Sequence, residues 1–107
     1  MKLLVVTTLA EYDHKVSDML TQVGINVFSK TETTGYKETP QTNLLDNWYG
    51  ADNVDYNSTF FFSFTEQDKA ESMLKAITEC NNEKRVHFPI RGFIIPVESS
   101  TYQNEEV

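Results

Sequence analysis

His87 has the widest chemical range of any residue in this sequence. It sits between Arg85 and Arg91, in and beside an irregular stretch over residues 83–90. An imidazole nitrogen binds several divalent metals, but one histidine is not a site and needs further donors. Asp52, with Asp46 and Asp55, could supply oxygens to a hard cation; Asp and Asn also populate loops for turn geometry alone. Cys80 and His87 match no zinc spacing. Cys80 closes an apolar helical stripe and reads as packed core, while His14 lies off its helix's stripe and reads as exposed. Arg85, Arg91 and Lys37 could receive a carboxylate or phosphate, since the guanidinium fork matches both; intersubunit salt bridges are the other reading of the two arginines.

Trp48 and Tyr49 stand in a polar loop. Exposed Trp and Tyr are enriched at binding hot spots, which makes this pair the candidate partner contact. The alternative folds them back over their own sheet. No G-x-S-x-G, H-E-x-x-H, Walker loop or motif-spaced Cys/His pair occurs, so the expectation is a protein that is not an enzyme. Were it a small enzyme, His87 would be its one evident titratable candidate.

These residues depend on elements that the periodicity outlines. Residues 3–9 form an apolar, β-branched run without polar alternation, as in a strand covered on both faces or central in a sheet. Tyr12, Val16, Met19, Leu20 and Val23 make one helical stripe, and Gly24 follows as a left-handed stop. That predicts a helix over 11–23. Alternating β-branched residues from Ile25 predict a second strand ending near Tyr36. Regular pattern dissolves over 37–57, a long loop of the kind that is usually functional or disordered. Phe60, Phe61, Phe62 and Phe64 mark a third strand over 58–65. Thr65 and Asp68 resemble a capping start for a second helix carrying Ala70, Met73, Leu74 and Ile77, which Asn81-Asn82 should end. Phe93, Ile94, Ile95 and Val97 predict the fourth strand, and 99–107 reads as a flexible acidic tail.

The order predicts an α+β, ferredoxin-like β-α-β-β-α-β sandwich: an antiparallel four-stranded sheet, right-handed crossovers and a long loop between strands two and three. Phe60, Phe62 and Phe64 share one face and Phe61 the other. With helices on one side only, the second apolar face should be buried by another copy of the chain.

The chain has 107 residues, 39% hydrophobic and 23% charged, which suits one globular domain. Its net charge of -7 argues against nucleic acid and anionic membrane surfaces, both of which select clustered Lys and Arg. No run approaches the roughly 18 apolar residues of a membrane span, so no membrane insertion is expected. A single cysteine makes no internal disulfide, and a cytoplasmic location is the natural reading.

Over residues 1–98 the element order, the length and the placement of the long loop resemble the PII signal-transduction superfamily. The run Ser29-Lys30-Thr31-Glu32-Thr33-Thr34-Gly35-Tyr36 is similar to that family's strand leading into its T-loop. Trp48-Tyr49-Gly50-Ala51-Asp52 is similar to the family's stretch near the end of that loop. The resemblance implies a homotrimer with effectors in intersubunit clefts and loop 37–57 engaging a membrane transporter or metal-efflux protein. It implies ligand contacts from Glu32, Gly35 and Lys37 at the loop base and from Arg85, His87 and Arg91, with His87 and Asp52 as metal donors. The family's phosphate-cradling glycines are replaced here by Lys84-Arg85-Val86-His87-Phe88-Pro89-Ile90-Arg91-Gly92, and its basic C-terminal residues are missing. That argues against ATP or ADP and leaves a divalent metal compatible. Two branches fit: the metal-efflux-associated PII-like group, which the long loop favours, and the related small-trimer family of divalent-cation tolerance proteins.

Overall fold

The chain's first apolar run becomes β1 (Lys2–Leu9), an inner strand hydrogen-bonded on both sides. A single 3-10 turn (Ala10–Tyr12) leads into α1 (Asp13–Gln22), then β2 (Ser29–Tyr36), β3 (Asp55–Thr65), α2 (Gln67–Lys84) and β4 (Arg91–Pro96). The computed structural model describes residues 1–36, 55–84 and 89–101, without the side chains of 35, 36, 55, 56 and 84. The sheet order is β2-β3-β1-β4 and every pairing is antiparallel. This is the ferredoxin-like α+β arrangement that the pattern predicts.

Why α1 stops where it does is visible in the backbone. Gly24 has φ +92, a conformation nearly free only to glycine. Its N–H donates to the Thr21 carbonyl at 3.0 Å, and Ile25 N–H donates to the Leu20 carbonyl at 2.9 Å. These two bonds form a Schellman motif, which satisfies carbonyls that the helix end would otherwise strand. The same turn drives Ile25 into the core, where it is 2% exposed.

The core lies between the helices and one sheet face. Leu4, Val6 and Phe61 from the strands meet Val16 and Leu20 of α1 and Met73 and Ile77 of α2. Phe28 packs on Phe61, ring centres 5.8 Å apart and tilted by 56°, a favourable aromatic geometry. Gly92 of β4 also belongs here: a Cβ on it would sit 2.6 Å from Leu74 Cδ2 and 2.8 Å from Ile77 Cδ1. Its glycine therefore serves close helix–sheet packing.

Several boundaries differ from the pattern's expectation. Residues 25–28 are outside β2, because the helix-stop motif turns Ile25 inward and Ser63 Oγ donates to the Val27 carbonyl at 2.7 Å. β3 begins at Asp55 rather than 58, because Tyr36 pairs with Asp55, Gly35 with Tyr56 and Thr34 with Asn57. Cross-strand pairing thus overrides the turn preference of Asp and Asn. Thr65 does not cap α2; it remains in the sheet opposite Lys2. The helix passes Asn81-Asn82 and reaches Lys84.

Candidate functional site

The loop of interest leaves and rejoins the sheet at a matched pair of positions. The β2–β3 ladder ends at Tyr36↔Asp55, so residues 37–54 are bridged at their base by paired strands. Gly35 is one pair inward, opposite Tyr56, and Glu32 is opposite Thr59. Glu32 is exposed on the helix side of the sheet. Lys30, two residues earlier on that side, forms a salt bridge with Asp13 of α1 at 3.3 Å. Lys30 is half exposed, so the pair contributes little to stability.

The second expected region lies between α2 and β4. Asn81 holds its two ends together: its side-chain amide donates to the Ile90 carbonyl at 2.9 Å, and its Oδ1 accepts from Ile90 N–H at 3.0 Å. A tertiary partner thus occupies a side chain that otherwise competes with the helix backbone, and α2 continues past it. Arg91 follows directly, paired with Thr7 of β1.

Glu32 and Arg91 do not meet within one copy. Strands β3 and β1 lie between them, a separation of roughly 14 Å at about 4.8 Å per strand. They also face opposite ways. Glu32 shares a row with Thr59 and Thr8, on the face of Phe61; Arg91 shares one with Thr7, Phe60 and Thr31, on the open face. A site using both residues needs two copies of the chain. Lys37, Trp48, Tyr49, Asp52, Arg85 and His87 lie outside the described residues, as do Asp46 and the tail from Tyr102. His14 is exposed, and Cys80 is half-buried against the core. Among the described residues no three His, Cys, Asp or Glu cluster at metal-binding distance, and no helix is long and apolar enough to cross a membrane.

Periodicity did not reveal the polar atoms left unpartnered inside the structure. Thr8 and Thr59 sit directly opposite each other under the helices with buried, unpartnered Oγ1 atoms; Thr33 Oγ1 and Arg91 Nε are in the same condition on the open face. Thr is a common strand residue, so nothing in its spacing signals an orphan hydroxyl. An open groove of about 640 Å³ borders the far end of the sheet, between Phe64, Val97 and Met1, with Glu66 and Thr101 on its rim.

The open face itself is largely apolar. Leu3 and Val5 of β1, Phe60, Phe62 and Phe64 of β3, and Phe93 and Ile95 of β4 share it by register. Phe64 is 59% exposed, Ile95 42% and Phe93 36%.

No protein-family model and no curated protein matches the sequence. Solved structures do match. One is a DUF3240 family protein from Shewanella baltica, with a TM-score of 0.63 at 14% identity over 95% of this chain and 94% of that one. Another is a proposed PII-like signalling protein from Thermus thermophilus, with a TM-score of 0.57 at 12% identity over 87% and 80% of the two chains. The ferredoxin-like fold is shared with both structures. At these identities the likeness carries the architecture, including strand order and helix placement, and no residue's role.

Proposed function

We propose that this chain is a non-enzymatic regulatory protein that assembles as a homotrimer and binds a small effector or metal ion in clefts between its copies. Loop 37–57 carries the signal to a partner protein, a transporter or efflux system, with Trp48 and Tyr49 as its contacts. The observation that carries the reading is the apolar patch at one end of the open sheet face, where Phe64, Phe93 and Ile95 are exposed in one copy. Contiguous apolar patches of this kind mark interaction surfaces, and a homo-oligomer is the simplest way to cover one. The fold shared with a proposed PII-like signalling protein supports the regulatory half. The separation of Glu32 from Arg91 supports a ligand site completed by a second copy.

Mechanistically, the effector acts by binding one state of the loop more tightly than another; without that difference it shifts nothing. In this reading Glu32, Gly35 and Lys37 contribute from the loop's base, Arg85 and His87 from the sequence between α2 and β4, and Arg91 from the first position of β4. His87 and Asp52 are the metal donors of the reading in which the effector is a divalent cation.

Two measurements test this. Sedimentation should give three times the 12.3 kDa chain mass, and a monomer at micromolar concentration would overturn the assembly. A thermal-shift screen against adenine nucleotides and divalent metals reports ligand binding by mass action. A metal shift lost in H87A and D52A assigns those donors; a metal shift that survives both substitutions removes them.

A further inference from the structure

A single exposed apolar side chain is ordinary on a protein surface, but Val27 is held in place. It is 84% exposed, more than any other large apolar residue described. Its backbone is nevertheless fixed: Ser63 Oγ donates to its carbonyl at 2.7 Å, and Ile25, two residues earlier, is bonded to the Leu20 carbonyl. A valine held out into water by an ordered backbone loses little freedom on contact, which favours docking. Lys69 stands beside the same turn. A Cβ on Gly24 would lie 3.6 Å from Lys69 Cε and 3.9 Å from its Nζ, and Lys69 and Val27 border one hollow of about 270 Å³.

On the other side of Phe64 lies the groove of about 640 Å³ between Phe64, Val97 and Met1. Among its described lining residues the one charge is Glu66. Val27 adjoins the β2 edge of the sheet, whereas the groove lies toward β4, where Leu3 links Phe64 to Ile95 in one row. Phe64 separates knob from groove, so the two do not meet within one copy. Neither Lys69 nor Glu66 forms a salt bridge with a described residue. Two different surfaces that fit each other make a head-to-tail contact, which closes into a ring when the rotation allows. Opposite charges, one beside each surface, give that contact its direction.

We propose that Val27 of one copy seats in the groove between Phe64, Val97 and Met1 of the next, with Lys69 of the first facing Glu66 of the second. The inference rests on the homotrimer reading above and adds which surfaces meet and in which direction. None of the residues given to the effector cleft takes part.

Sedimentation velocity on the full chain at low ionic strength tests it, comparing wild type with V27D, K69E, E66K and the double variant that carries both charge changes. V27D alters an exposed side chain and should leave the fold intact, yet weaken association roughly tenfold or more. K69E and E66K should each weaken it several-fold. The double variant should recover toward wild type, because the reversed charges again oppose each other across the contact. V27D associating as tightly as wild type would overturn the proposal, as would a double variant no tighter than either single one. A wild type that stops at a dimer would also overturn it, since a head-to-tail contact does not close at two copies. A wild type that stays monomeric throughout removes the assembly reading itself, a distinct outcome. Circular dichroism checks the fold of each variant; should V27D fail to fold, V27S carries the same outcomes.

Discussion

Phe61 and Phe64 are the same residue type, three positions apart on β3, and their surroundings differ completely. Phe61 is 1% exposed beneath the two helices, while Phe64 is 59% exposed on the opposite face. Strand geometry accounts for the opposite directions, and the position of the helices accounts for the difference in cover. The helix side of the sheet is a finished core, with Leu4, Val6 and Phe61 fully buried. The opposite side buries Val5, Thr7 and Ser58 but leaves Phe64, Phe93 and Ile95 exposed. The comparison teaches that an apolar strand pattern specifies a demand for burial and not what meets it.

The sharpest way to break the comparison is to truncate both rings. Phe61→Ala should lower unfolding free energy by about 3–5 kcal/mol, the range for a buried Phe, measured by urea denaturation in dilute solution. An intermediate effect comes from the strut between α2 and β4. Asn81→Ala strands the Ile90 N–H and carbonyl, a loss of about 1–3 kcal/mol, and hydrogen exchange at Ile90 should speed up. Gly24→Ala forces a Cβ into a left-handed turn and should cost about 1–2 kcal/mol by the same denaturation.

The smallest stability effects are expected at the two remaining sites. Thr59→Val removes a buried hydroxyl that has no partner, so stability should hold or rise slightly; a clear loss would mean that the hydroxyl is engaged. Phe64→Ser should change unfolding of the isolated chain by about 0.5 kcal/mol or less, yet weaken association measured by sedimentation. Equal stability losses at Phe61 and Phe64 would erase the distinction between the faces.

Legibility in the sequence varied by element. The four strands and two helices, the split of the phenylalanines between faces, the stop at Gly24 and the half-buried place of Cys80 all follow from local period and residue type. Ends set by pairing were missed: β3 begins three residues early because Asp55–Asn57 have partners on β2. Asn81 reads locally as a helix terminator, and its bond to Ile90, nine residues on, has no local trace. Gly92 carries no local sign of its role, which is the clearance it leaves for Leu74 and Ile77 of α2.

By itself, the sequence determined the order of elements and the surplus of apolar strand surface. Each of these depends on neighbours within a few positions. The tertiary structure alone decided that Glu32 and Arg91 face opposite sides of the sheet, that Gly92 makes room for α2, and that Arg91 Nε is left without an acceptor. Those facts depend on which distant strand lies alongside, and register and helix placement arise only when the whole chain closes on its core.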